Sequence, residues 1–152
     1  MITIGSKAPG FELEGSDGKR HTLEEFKGGY LVLYFYPKDD TPGCTTEACG
    51  FRDAINEIRK AGAEVVGVSK DNLGSHGKFK EKYKLNFLLL SDPDSKTIKA
   101  YDSYGDRGIF GMGTLRKTYI IDKGGKVAKI YEKVKPDGHD REVLEFLKSA
   151  KS

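Results

Sequence analysis

A chain of 152 residues, 37% hydrophobic and 32% charged, is long enough to build one compact core and too rich in apolar residues to stay disordered. Its net charge of +3 is smaller and more diffuse than nucleic-acid binders carry, and two cysteines are too few for a disulfide-built secreted scaffold. The longest apolar run, Tyr30–Tyr36, falls far short of the roughly 20 residues a membrane span needs, and Met1–Gly10 has neither the apolar core nor the cleavage pattern of a signal peptide; we expect one cytoplasmic domain over residues 1–152, acting on neither nucleic acid nor membrane.

Phe11 and Leu13 alternate with Glu12 and Glu14 ahead of Gly15-Ser16-Asp17-Gly18, which predicts a short hairpin. Thr22-Leu23-Glu24-Glu25 reads as a capping box opening a short helix, which Gly28 and Gly29 close. Tyr30–Tyr36 is apolar at every position and predicts a strand buried on both faces. Two prolines and a glycine make Pro37–Gly43 a loop. Ala48, Phe51, Ala54, Ile55 and Ile58 recur at helical spacing, predicting a helix over 45–61 with Gly62 as its stop.

Ala63–Ser69 predicts a second buried strand. Ser75–Tyr83 predicts a helix on which Lys78, Lys80, Lys82 and the adjoining Lys84 spread around solvated faces. Phe87–Leu90 reads as a strand and Ser95–Tyr101 as a short helix. No basic helix start follows Gly111-Met112-Gly113, as a phosphate loop would require, so that stretch reads as a flexible loop. Lys117–Asp122 and Lys126–Glu132 predict a hairpin across Lys123-Gly124-Gly125. Arg141–Ala150 predicts a closing helix with Val143, Leu144 and Leu147 inward. Alternating strands and helices, then a hairpin and a helix, predict an α/β fold: a central mixed sheet with helices on both faces. This is the element order of a thioredoxin-like fold with an N-terminal hairpin extension.

Cys44 follows a buried strand and sits in the first turn of a helix. Backbone amides at such an end favour an anion, here a thiolate. Thr41, Pro42 and Gly43 bring polar backbone close to the sulfur, which a cysteine serving only as core packing would not need. His21, His76 and His139 are scattered among polar neighbours, and their spacing from Cys44 and Cys49 does not make a zinc site. No metal and no other cofactor is expected.

The run Phe35-Tyr36-Pro37-Lys38-Asp39-Asp40-Thr41-Pro42-Gly43-Cys44-Thr45-Thr46-Glu47-Ala48-Cys49 resembles the active-site segment of peroxiredoxins. Within them it is similar to the atypical two-cysteine group often called bacterioferritin comigratory proteins. The likeness runs through Ala8-Pro9, Asp17-Gly18-Lys19, Gly67-Val68-Ser69, Leu90-Ser91-Asp92 and Arg116-Lys117-Thr118-Tyr119-Ile120-Ile121-Asp122, over nearly the whole chain. The resemblance implies a thiol peroxidase acting on hydrogen peroxide and small organic hydroperoxides. Its attacking cysteine falls on Cys44, its resolving cysteine on Cys49, and its Pro, Thr and Arg on Pro37, Thr41 and Arg116. It further implies an intramolecular disulfide reduced by a thioredoxin-like dithiol protein, and a monomer.

The chemistry asks for such a set. A free thiol is only about 3% ionised at pH 7, so complete ionisation gains at most about thirtyfold. Charge on the departing oxygen must be stabilised as well. Arg116 offers a permanent cation with several donors. The Thr41 hydroxyl can donate to one peroxide oxygen and accept from the other, while the resemblance implies that the Pro37 ring shields the thiol. Glu47, three residues after Cys44, shares its helix face and is placed to hold Arg116 by a bidentate pair. If residues 44–49 continue one helix, the two cysteine Cα atoms lie roughly 8.7 Å apart. Disulfides seldom exceed about 7 Å, so the helix must open before the bond forms. The chain departs from the family in Asp102–Leu115, where relatives often carry a tryptophan and a Lys/Glu pair; this chain has no Trp and places Phe110 and Met112 there. Two other readings fit the fold: a thiol–disulfide reductase, disfavoured by the four residues between the cysteines, and a non-enzymatic holdase or scaffold.

Overall fold

The computed structural model describes residues 2–151. β1 (Glu12–Gly15) and β2 (Arg20–Thr22) form the predicted hairpin, and a single 3-10 turn, Leu23–Phe26, follows. The Thr22 N–H donates to the Glu25 carboxylate at 2.8 Å, the returning half of the capping box. β3 (Tyr30–Phe35), β4 (Ala63–Ser69) and β5 (Leu88–Ser91) run parallel, joined by α1 (Pro42–Lys60) and α2 (Leu73–Tyr83). After α3 (Lys96–Ala100) the chain makes two short strands, β6 (Tyr104–Asp106) and β7 (Met112–Thr114). It then forms the hairpin β8 (Lys117–Ile121) and β9 (Val127–Tyr131) and ends in α4 (His139–Lys151).

Seven strands make one mixed sheet in the order β2-β1-β5-β4-β3-β8-β9. Strand alternation divides the core between its faces. Val32, Tyr34, Val65, Leu89 and Ile120 meet α1, α2 and α4 through Phe51, Ile55, Phe79, Val143 and Leu147. Leu31, Leu33, Phe35, Val66 and Val68 meet Leu23, Ile98 and Tyr101 on the other face. The expected thioredoxin-like architecture, helices on both faces and a hairpin extension, is therefore present. Among the described residues no helix is long and apolar enough to cross a membrane.

Three local expectations are corrected. α1 begins at Pro42, not Thr45. A proline punctuates a loop equally well by standing at the first helical position, where its missing N–H costs nothing. α2 begins at Leu73, two residues early, because the Asn72 side chain caps it by accepting the Ser75 N–H at 2.8 Å. The Gly111-Met112-Gly113 stretch is not a flexible loop: Tyr104–Thr114, Gly105–Gly113 and Asp106–Met112 pair as a separate two-stranded ribbon. The Leu115 side chain fills the space a Cβ at Gly105 would take.

Candidate active site

β3 lies inside the sheet, between β4 and β8, and delivers the chain to the turn 36–41, whose far end Thr41 is the N-cap of α1. Pro42 has no N–H, and the Gly43 and Cys44 amides stand ahead of the first helical bond, Thr45 N–H to the Thr41 carbonyl at 2.8 Å. Cys44 thus sits where a helix favours an anion, as its position in the sequence suggested. It is buried, and Cys49, one and a half turns on, is half-buried; both are free thiols. One uninterrupted helix carries them both, so the ideal Cα separation of roughly 8.7 Å applies.

Arg116 arrives from the opposite direction. β8 runs antiparallel to β3 and pairs Lys117 with Phe35, so the residue before β8 emerges beside the residue after β3. Arg116 extends one guanidinium nitrogen to Glu47 Oε1 at 2.8 Å and the other to 3.5 Å from Cys44 Sγ. The expected Arg–Glu pair is there, but it is not bidentate. Glu47 Oε2 is buried without a hydrogen-bond partner among the described residues. Burial pushes the Glu47 carboxyl up to about 7, against the pull of Arg116. Burial works against the Arg116 charge too, but the facing Cys44 and Glu47 outweigh it and hold the guanidinium above its ordinary range.

The guanidinium passes so close to the helix start that a Cβ on Gly43 would lie 2.9 Å from it. Pro136, from the segment before α4, closes the same spot at 3.4 Å. Further along α1, a Cβ on Gly50 would meet the Asp140 carboxylate at 2.8 Å. The Phe51 ring packs edge-on against His139, their centroids 5.6 Å apart.

Thr41 is half-buried and its hydroxyl donates to the Lys38 carbonyl at 2.8 Å. The two-way role expected of it is therefore narrowed: in this state its proton is committed, and only its lone pairs remain to accept. Pro37 stands half-buried two residues past the end of β3.

Sequence reasoning missed the polar cluster that carries the turn. Asp39 is buried and accepts from the Tyr36 hydroxyl at 2.6 Å and the Ser75 hydroxyl at 2.8 Å. Its other close partner is His76 Nδ1, at 2.7 Å. Two histidines that looked polar-flanked in the sequence, His76 and His139, are fully buried. His139 Nε2 meets the Thr118 hydroxyl at 2.7 Å, and burial lowers its basicity while Glu142 opposes. The only sequence signal for Asp39 was its presence in the segment that resembles peroxiredoxins; His76 had none.

Comparison with known proteins identifies the family. Residues 4–130 match the AhpC/TSA family. The chain is 49% identical over 150 residues to peroxiredoxin Bcp of Bacillus subtilis, covering 97% of this chain and 96% of that one. Its fold superimposes on PrxQ of Xylella fastidiosa with a TM-score of 0.96 at 33% identity, covering 100% and 99% of the two chains. A bacterioferritin comigratory protein of Xanthomonas campestris, whose structure concerns alkyl peroxide reduction, matches with a TM-score of 0.89 at 39% identity over 93% of this chain and 92% of that one.

Proposed function

The chain belongs to the AhpC/TSA family and is a peroxiredoxin, a thiol peroxidase; from that premise we propose how its residues divide the reaction. The observation that supports the assignment most is the Arg116 fork, which holds Glu47 with one nitrogen and faces Cys44 Sγ with the other. The alternatives of a disulfide reductase and a non-enzymatic scaffold give way to the family's chemistry.

Cys44 attacks as the thiolate. Its sulfur forms a bond to one oxygen of the hydroperoxide, the O–O bond breaks, and the second oxygen leaves with the electron pair, taking a proton to become water or an alcohol. The product on the enzyme is a Cys44 sulfenic acid. Arg116, 3.5 Å from the Cys44 sulfur, offsets charge on the departing oxygen. Thr41 accepts the substrate's O–H on the lone pairs that its bond to Lys38 leaves open, Pro37 screens the thiol, and Glu47 aims Arg116.

Cys49 then attacks the Cys44 sulfur. The S–S bond forms, the S–O bond breaks and water leaves. Because a continuous α1 holds the two Cα atoms too far apart, its first turns open for this step. A thioredoxin-like dithiol protein restores both thiols. We place this cycle in a single-domain monomer of the cytoplasm, acting on hydrogen peroxide and small organic hydroperoxides.

Stopped-flow peroxide consumption with dimedone trapping tests the division of labour. Cys44→Ser should reduce no peroxide. Cys49→Ser should complete one turnover and carry the dimedone adduct on Cys44. An adduct on Cys49 in Cys44→Ser, with peroxide consumed, would reverse the two roles.

A further inference from the structure

The turn that precedes Cys44 is fastened to α2 and to the sheet by a buried network in which no contact belongs to α1. His76 Nε2 lies 2.9 Å from the Leu90 carbonyl, so that nitrogen carries a hydrogen. Nδ1 lies 2.7 Å from Asp39 Oδ2, a contact that needs one proton between the two atoms, whichever of them holds it. The His76 side chain is 0% exposed and that of Asp39 3%, so water does not compete for the bond.

A second route runs through the backbone. The Asp39 N–H donates to Asp71 Oδ2 at 2.9 Å, and the Ser69 hydroxyl donates to the same oxygen at 2.7 Å. The Ser91 hydroxyl donates to the Asp71 carbonyl at 2.6 Å. Ser69 and Ser91 are the last residues of β4 and β5, so Asp39 is tied to the carboxyl ends of two parallel strands. The next residue, Asp40, holds a left-handed φ of 56° with one carboxylate oxygen on Lys82 and the other on the Tyr83 hydroxyl. Thr41 follows, its hydroxyl closed back onto Lys38.

We propose that Asp39 and His76 are positioning residues for peroxide reduction: they pin the turn Pro37–Thr41 to α2 and the sheet, so that Thr41 keeps its place while α1 opens and closes beyond it. The proposal rests on the reading of Thr41 as a substrate contact. A turn held only by α1 would lose its geometry at each resolution step and would have to rebuild it before the next peroxide. This turn has anchors of its own, 32 and 37 positions away in sequence.

The test compares two reactions of the same sulfur. Attack on hydrogen peroxide needs the thiolate and the Thr41 contact; alkylation by iodoacetamide needs the thiolate alone. Asp39→Asn should slow peroxide reduction about tenfold by displacing Thr41 and leave alkylation of Cys44 within about twofold of wild type. Tyr36→Phe, which deletes one donor to Asp39 and keeps the ring, should slow peroxide reduction about threefold, and it decides the matter if Asp39→Asn does not fold. In a Thr41→Val background, adding Asp39→Asn should cost less than about twofold more, because its effect runs through the residue already lost. Equal slowing of both reactions, or a full tenfold loss in the Thr41→Val background, would overturn the proposal. So would a slow Thr41→Val beside wild-type rates in Asp39→Asn and Tyr36→Phe. A wild-type rate in Thr41→Val removes the reading of Thr41, and the proposal with it.

Discussion

The chain on the two sides of Cys44 is built to opposite specifications. Upstream, in the turn 36–41, Asp39, Asp40 and Thr41 all have their side-chain groups bonded, and most of the partners lie on α2. Downstream, the first turns of α1 read Pro42-Gly43-Cys44-Thr45-Thr46-Glu47-Ala48-Cys49-Gly50. Two glycines, two β-branched threonines and two cysteines cost about 4 kcal/mol in helix propensity relative to alanine. The Thr46 hydroxyl bonds back to the Pro42 carbonyl at 3.0 Å, a contact that bends helices more than it steadies them. Glu47 is buried with one carboxylate oxygen unpaired among the described residues. The proposed cycle asks for this difference: attack would need the turn to stay, and resolution would need the helix start to go.

The comparison breaks first on hydrogen exchange. On oxidation to the disulfide, protection across Thr45–Phe51 should fall about a thousandfold, as local opening replaces a packed helix. The Asp39 amide and the β4 amides should keep theirs. Equal protection of Thr45–Phe51 in both redox states would remove the contrast.

Arg116 reaches the site from the residue before β8 and bonds Glu47 on the downstream side, and its loss should tell first on attack. Arg116→Ala should slow single-turnover peroxide reduction roughly 10²–10³-fold, the usual cost of removing a donor aimed at developing charge. Arg116→Lys should recover only part of the rate, because the fork is gone. An unchanged rate in Arg116→Ala would make the arginine structural.

Glu47 gives the downstream side a dependence on pH. Its carboxyl is pushed from 4.5 up to about 7 by burial, so the unfolded chain loses this proton first as pH rises. Stability from the neutral form is complete below about pH 4.5 and is lost as pH climbs through 7, a change bounded at about 3 kcal/mol. Urea unfolding at pH 4.5 and pH 8 should show wild type losing stability relative to Glu47→Gln across that window. Parallel pH dependence in the two proteins would show that this carboxyl does not titrate there.

The smallest effect concerns Gly50. A methyl group there favours helix by about 1 kcal/mol but meets Asp140 at 2.8 Å. In an Asp140→Ala background, Gly50→Ala should therefore slow disulfide formation about fivefold, followed by quenched thiol counting. An unchanged rate would mean that opening the second turn does not limit resolution.

Much of this contrast was legible in the residues. The hydrophobic spacing of Ala48, Phe51, Ala54, Ile55 and Ile58 predicts α1, and the buried run from Tyr30 predicts the strand that aims it. Arg116 was found through its resemblance to a family pattern, since no local rule joins a residue before β8 to one after β3. The upstream anchors were not legible. Asp39 and His76 meet because two parallel crossovers carry α2 back beside the end of β3, and no hydrophobic period records a hydrogen bond across 37 residues. Polar flanks hid His76 and His139 because a histidine can be buried on the strength of two ring contacts. The ribbon β6–β7 was hidden by its length: strands of three residues show no alternation.

The closeness of Arg116 to Gly43 ties two positions distant in sequence into one packing unit. A Cβ at 43 would lie 2.9 Å from the guanidinium, the far end of a long side chain, so any residue but glycine there leaves the arginine two outcomes: it swings away from Cys44 and Glu47, or it repacks around the newcomer. Position 43 thereby sets the reach of the fork at Cys44 without bonding to either group.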